Sequence, residues 1–374
     1  MWRAKILLGA AVLGCAIQGA INLAWADGAD KFVGLDMAPT KIGGVSELLP
    51  MSQFCGTKKI KVAQSDGWGG NYWRHIARQE LADEAKKCPN ITEVRYVDAE
   101  GNPQKQIADI QGLIAQHFDV IVVGPDGGPV INKVMRQTMS AGIAVVPVDV
   151  GNDWPGEVGK DFVVAVTPDT HGIGAASAEW MAKALNGKGS VIVYGGTPGN
   201  AFTSGQEAGW RPVFAKYPDI KVLEGPVTTN WDPALAQQVT TAMIAKYPEI
   251  DGVLSETTGP IRAFAAANKP IPAWAGQDLN ELSCLWEQYQ PTNPSFKMAN
   301  VSSHPWIIRV ALRKAVAAAE GISDPEPSLI TVPFSEDSIA TDPALAVKCD
   351  KSMPLNSIPS SMLTKDEQKQ VLAQ

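Results

Sequence analysis

From Lys58 onward this chain repeats one unit: a short run of β-branched residues, a turn rich in Gly, Asp or Pro, then a stretch with helical spacing. The runs that read as strands are Ile60–Ala63, Val94–Val97, Val120–Val123, Ile143–Val148, Phe162–Val166, Val191–Tyr194, Lys221–Leu223, Gly252–Leu254, Ala273–Gly276 and Met298–Val301. Helices fall between them. From Trp73 to Lys87, for example, Trp73, Ile76, Ala77, Leu81, Ala85 and Cys88 step by three and four along one face. Strand and helix alternating over this length predict an α/β fold of parallel sheets with helices on both sides. The chain is longer than one core usually serves, so the expectation is two Rossmann-like lobes with a sheet each.

In open parallel sheets, ligands bind outside the carboxyl ends of the strands, so those ends carry the functional reading. They hold Ser65, Asp66 and Trp68; Asp98; Asp126; Asp149; the stretch from Gly195 to Asn200; Glu256-Thr257-Thr258; Asp278; and Ser302-Ser303-His304. Nearly all are carboxylates or neutral polar residues, with Trp68, Trp73, Phe202, Trp231 and Trp306 beside them. Acidic and amide groups bond hydroxyls, and flat rings cover the apolar faces of a sugar. Taken singly, an Asp after a strand is more often a turn or cap residue than a ligand contact, and a Trp is more often core. The sugar-site reading rests on the same mixture recurring at several independent strand ends.

Other chemistries find little support. The stretch Gly195 to Asn200 lacks both the GxGxxG spacing and the Lys-Ser/Thr of a phosphate loop, so no nucleotide cofactor is expected. There is no HExxH and no GxSxG, and the four histidines are scattered without an i,i+4 pair, so neither a metal nor a catalytic role is expected. A formal charge of −7 with no basic block argues against nucleic acid or an anionic membrane surface as partner.

Residues 1–26 combine Arg3 and Lys5, an apolar run from Ile6 to Ile21, and Ala24-Trp25-Ala26 before Asp27, the order of a cleaved secretory signal. A membrane anchor is the alternative, although the run is shorter than the roughly 20 residues a span needs. Acylation at Cys15 is a second alternative. Export places the mature chain in an oxidising compartment, and four cysteines then remain: Cys55, Cys88, Cys284 and Cys349. Three pairings are open; Cys55 with Cys88 and Cys284 with Cys349 is preferred, and four free thiols remain the alternative.

The stretch from Asp98 to Ile107, then Phe118 to Val123, then Ala141-Gly142-Ile143 leading to Pro147-Val148-Asp149, resembles the type I periplasmic sugar-binding proteins of ABC importers, near the ribose, galactose and inositol group. The resemblance runs from about Lys58 to Phe334. It implies two lobes joined by a three-segment hinge, with a sugar or polyol bound between them and a membrane permease as partner. A monomer is expected, located in the periplasm. The same lobes also serve extracytoplasmic sensors that present the closed form to a receptor kinase or chemoreceptor.

Carried over to this sequence, the resemblance implies ligand contacts at Asp149, at Trp231 in Asn230-Trp231-Asp232, at Asp278 in Gly276-Gln277-Asp278, and at Asn71, Trp73 and Arg74. With the strand-end reading, the candidate set is Trp68, Asn71, Trp73, Arg74, Asp126, Asp149, Asn200, Phe202, Trp231, Thr257, Asp278 and Ser303. Val150, Ser204, Ser303 and Thr257-Thr258 depart from the pattern of ribose binders, which points away from ribose itself. The expected layout is a signal peptide 1–26, an extension 27–56, a first lobe 57–166 plus 304–330, a second lobe 167–303 plus 331–345, and a tail 346–374.

Overall fold

The computed structural model describes residues 28–373, so the signal segment and Cys15 lie outside the described residues. The chain begins with an extension that contributes a short strand β1 (Ile42–Gly43). It then builds β2 (Ile60–Asp66), α1 (Tyr72–Ala85), β3 (Ile91–Asp98), α2 (Pro103–Ala115), β4 (Val120–Gly124), α3 (Asn132–Ser140) and β5 (Ala144–Pro147). These four longer strands form one all-parallel sheet in the order β3-β2-β4-β5. Strand β6 (Thr167–Pro168) leads out of this first lobe into the second.

The second lobe continues with α4 (Thr170–Ala184), β7 (Gly189–Gly195), α5 (Ala201–Phe214), β8 (Ile220–Thr228), α6 (Pro233–Lys246), β9 (Gly252–Ser255), α7 (Gly259–Ala266), β10 (Ala273–Gly276), α8 (Asn280–Tyr289) and β11 (Met298–Asn300). Helix α9 (Ile307–Glu320) then returns to the first lobe, and β12 (Leu329–Ile330) leads back to β13 (Glu336–Asp337) and a tail ending in α10 (Lys365–Leu372). The second sheet runs β13-β11-β10-β9-β7-β8, with only β13 antiparallel.

The chain therefore crosses between lobes three times. Two crossings pair as strands: β12 lies beside β6, and β1 of the N-terminal extension adds a third parallel strand beside them.

Local chemistry explains the helix starts. Asn102 accepts from the N–H groups of Gln104 and Lys105, and Asp232 from those of Ala234 and Leu235, with proline at the first helical position each time. β3 and β8 each end only four residues before these caps, at Asp98 and Thr228, which keeps the connections short.

The first-lobe core packs Val62, Val120 to Val123, Val145 and Val146 against Val310, Ala315 and Val316 of α9. In β7, Val191 and Val193 enter one core cluster, whereas Ile192 and Tyr194 enter the other, the period of two that a sheet covered on both faces requires. Buried ion pairs fasten α9 to α1: Arg309 bonds Glu80 and also Asp83 at 2.6 Å and Glu84 at 2.9 Å, and Arg313 reaches Glu84 at 2.7 Å.

Phe162–Val166, read as a strand from sequence, forms no regular ladder. Val163 N–H donates to Val145 and Val166 N–H to Pro147, so three residues on one side match two on the other. The surplus residue bulges the edge while Val163, Val164 and Val166 stay buried. The structure joins Cys55 with Cys88 and Cys284 with Cys349, at Cα separations of 5.5 and 4.5 Å.

Candidate functional site

A cavity lies between the lobes at the carboxyl ends of both sheets. It is lined by Asn71, Tyr72, Trp73, Arg74 and Asp149 from the first lobe, by Phe202, Trp231, Glu256 and Gln277 from the second, and by Ser302 and Ser303 on the crossing between them. The loops after β4 and β7 approach each other: a side chain added at Gly128 would stand 4.0 Å from the Gly199 carbonyl.

The first-lobe wall is built by the N-terminus of α1. Asn71 caps the helix, accepting from the Arg74 N–H at 2.8 Å, which aims the first turn at the cavity. Trp73 Nε1 donates to the Ser303 carbonyl at 3.0 Å, and the Arg74 guanidinium lies 5.1 Å from the Trp73 ring centroid. Arg74 is buried. Its Nη2 donates to Asp126 at 2.7 Å and its Nη1 stands 3.5 Å from Asp66. Burial opposes the guanidinium charge, yet Asp126 and Asp66 together hold it more firmly protonated than in water. The carboxyls feel the same burial: Asp66 is pushed up to about 6, with Arg74 pulling the other way.

Asp149 enters from the end of β5 with φ 59°, a left-handed conformation that aspartate tolerates better than most residues. Its Oδ1 accepts from Ser303 Oγ at 2.8 Å. Burial raises its pKa, with Arg74 and the Ser303 hydroxyl acting against the rise.

On the facing wall Trp231 and its neighbour Asn230 both have φ 53°, and for a bulky aromatic that is a strained backbone. Gly196 makes room: a Cβ there would come within 2.2 Å of the indole. Phe202, 5% exposed, completes the aromatic side. Glu256, the first residue past β9, accepts from Gln206 Nε2 at 2.9 Å and from Ser302 Oγ. Burial pushes its carboxyl up to about 7, the charges of Asp278 and Asp149 adding to the rise and the two hydrogen bonds opposing it.

Of the twelve residues singled out from sequence, Asn71, Trp73, Arg74, Asp149, Phe202, Trp231 and Ser303 are brought together here. The other five sit elsewhere. Asp126 stands behind Arg74 as its counter-ion, accepting also from the Trp68 N–H at 3.1 Å, and Trp68 itself lines a separate pocket with Asn230 and Asp232. Asn200 caps α5, accepting from the N–H groups of Phe202 and Thr203. Thr257 is 3% exposed and its backbone is tied to the Ser255 hydroxyl. Asp278, fully buried, accepts from Gln277 Nε2 at 3.0 Å and from the Ser360 N–H at 2.8 Å, so it faces the tail.

Tyr72, Glu256, Gln277 and Ser302 line the cavity outside the candidate set, although Glu256 and Ser302 stood among the strand-end residues. The signal for two of them was in the sequence. Glu256 and Gln277 are the first residues beyond β9 and β10, whereas Thr257 and Asp278 are the second. Among the described residues no group of three or more His, Cys, Asp and Glu is placed to hold a metal, and no helix is long and apolar enough to cross a membrane.

Comparison with known proteins places the fold in a family. A family model described as periplasmic binding protein domain matches residues 67–287. The chain is 31% identical over 179 residues to the xylitol-binding protein of Mycolicibacterium smegmatis, covering 48% of this chain and 49% of that one. It is 27% identical over 191 residues to the D-xylose-binding periplasmic protein of Escherichia coli, covering 48% and 56%. The chain thus spans about half the length of these curated relatives. Among solved structures, an ABC transporter solute-binding protein from Thermobispora bispora superposes with a TM-score of 0.66 at 24% identity, over 83% of this chain and 94% of that one.

Proposed function

We propose that this chain, which belongs to the periplasmic binding protein domain family, is the substrate-binding subunit of an ABC importer for a neutral monosaccharide or polyol. The observation that carries the reading is the composition of the cavity between the lobes. Two carboxylates, Asp149 and Glu256, enter it from opposite lobes beside Asn71, Gln277, Ser302 and Ser303, with Trp73, Phe202 and Trp231 as apolar faces. Such a site bonds many hydroxyls and stacks on C–H faces, which is the chemistry of a polyhydroxy compound.

The one guanidinium present supports a neutral ligand over a sugar acid. Arg74 is already shared between Asp126 and Asp66, so it has little charge left for a ligand carboxylate, and Asp149 faces the same cavity as a further acid. The relatives named for xylitol and D-xylose bind compounds of this kind.

The mechanism that follows is capture by closure. Ligand bonds both walls at once, and hinge rotation about the three crossings shuts water out and strengthens each hydrogen bond. Binding favours the closed form only by its differential contacts, so residues of both lobes are needed. The permease would read the closed pair of lobes in the periplasm; the chain performs no chemistry on its ligand.

A thermal-shift screen of pentoses, hexoses, polyols and sugar acids tests this. A ligand at about 100 times its Kd adds roughly 2.7 kcal/mol of stability. A clear shift with xylitol, D-xylose or a related neutral compound and none with sugar acids is expected. Selective stabilisation by an acid would overturn the neutral-ligand reading.

A further inference from the structure

The tail beyond β13 divides its bonds between the two lobes. Its root is on the second lobe, where Cys349 is joined to Cys284 of α8. Asn280 Nδ2 donates to the carbonyls of Asp350 at 3.0 Å and Pro354 at 3.1 Å, while its Oδ1 accepts from the Asp350 N–H at 2.8 Å. The N–H groups of Asn280 and Glu281 donate to the carbonyls of Ser357 and Leu355 at 3.0 and 2.8 Å. The far end lies on the first lobe. Ser361 Oγ and the Met362 N–H donate to Glu80 Oε1 of α1 at 2.6 and 2.8 Å, and α10 packs along α1. Ile358 and Leu363, 0% and 5% exposed, share a core cluster with Ile76 of α1, which is itself fully buried.

We propose that this segment is a strap that holds the lobes together before ligand arrives, rooted on α8 and latched on α1. The decisive detail is how little slack it has. The Ser360 N–H is bonded to Asp278 of the second lobe and the next residue, Ser361, to Glu80 of the first. Consecutive Cα atoms are about 3.8 Å apart, so Asp278 and Glu80 cannot separate by more than a few ångströms unless one of those bonds breaks. The latch point is fixed in turn, because the other Glu80 oxygen is held by Arg309 of α9.

The strap and the cavity also use the same helix. The first turn of α1 carries Tyr72, Trp73 and Arg74, and Glu80 lies further along it. A latch on α1 therefore biases the arrangement that places the first-lobe wall opposite Trp231 and Glu256. Apparent affinity is divided by the competent fraction, so a pre-latched pair of lobes binds more tightly than a freely opening one. The proposal concerns the ligand-free chain and stands whatever compound the cavity takes.

The test is a distance measurement between the lobes without ligand. Spin labels on Lys133→Cys in α3 and Lys221→Cys in β8, both exposed positions on opposite lobes, report the separation by pulsed electron resonance while the native disulfides stay intact. Three forms are compared: the full chain, a chain ending at Ser357, and Leu363→Glu. Far-ultraviolet circular dichroism confirms that each is folded.

The full chain is expected to give one narrow distance population, and both altered chains a broader one shifted to longer distances. If the shortened chain does not fold, Leu363→Glu decides alone. Folded variants with the same distribution as the full chain would overturn the strap.

Discussion

On the first-lobe wall of the cleft Arg74 is shared by Asp126 at 2.7 Å and Asp66 at 3.5 Å, whereas on the second-lobe wall Glu256 is held by neutral donors, Gln206 and Ser302. The first wall thus carries a buried cation that its neighbours need, and the second a buried acid whose proton is easily kept. The backbones differ as well. The first wall is the capped end of a regular helix, while the second places Trp231 in a strained left-handed conformation beside Gly196. One wall is rigid through charge pairing and the other through steric fit, so the same kind of substitution should act differently on each.

The largest effect is expected where charges are shared. Arg74→Met keeps much of the side-chain volume but leaves Asp66 and Asp126 buried without their cation. Breaking a buried pair from one side costs about 3–5 kcal/mol. Denaturant unfolding should show this loss even with no ligand present. A loss below about 1 kcal/mol, the worth of a surface pair, would mean that the first wall is no more charge-dependent than the second.

Next in size are the ligand contacts. Asp149→Ala and Trp231→Ala each remove a group facing the cavity from opposite lobes. Losing a charge-assisted hydrogen bond costs about 1.5–3 kcal/mol, or roughly 10- to 150-fold in affinity, and calorimetry with the ligand found by screening measures it. Melting temperature should change little for Asp149→Ala, whose one side-chain hydrogen bond is to Ser303. For Trp231→Ala it should fall modestly, because alanine keeps the Cβ and the positive φ while the ring's packing beside Phe202 is lost. Unaltered affinity in both would remove the cavity as the binding site.

Most of the architecture was legible because parallel strands buried on both faces are written as β-branched runs, and their caps as Asn or Asp before the helix. What was not legible is a matter of phase. A strand end identifies a loop, but which residue of the loop faces the cleft depends on how the last strand residue is turned. Hence Glu256 and Gln277 line the cavity, and the adjacent Thr257 and Asp278 turn into the protein. Asp126 illustrates a second limit: a carboxylate at a strand end can serve the site by holding Arg74 without touching the cavity. The tail was unreadable for a third reason, since its contacts with Glu80 and Asp278 are long-range and leave no periodicity.

The two walls should also titrate differently. The folded-state pKa of Glu256, about 7, lies above its ordinary 4.5, and that of Asp66, about 6, above 3.8. A raised carboxyl binds its proton more tightly in the folded chain. Its contribution to stability therefore grows as pH falls through the window between the two values and is lost as pH rises through it. Glu256→Gln removes the part that extends to pH 7, so unfolding measured at pH 5.5 and 7.5 should differ less in the variant than in the parent. An identical difference in both would show that Glu256 is ionised in the folded chain at neutral pH, like a surface glutamate.

The smallest and most discriminating comparison uses the two asparagines that cap helices at the cleft. Asn71 caps α1 and Asn200 caps α5, each through a side-chain oxygen accepting helix N–H groups. Replacing either by Ala should cost about 1 kcal/mol of stability. Their effects on binding should part, because Asn71 lines the cavity and Asn200 does not. Asn71→Ala loses an amide that can bond a ligand hydroxyl and loosens the turn that aims Trp73 and Arg74, so affinity should fall by several-fold. Asn200→Ala should leave affinity within error at the same loss of stability. Equal losses of affinity would show that helix aim, common to both, outweighs contact; a loss confined to Asn200→Ala would place the ligand nearer α5 than the cavity lining does.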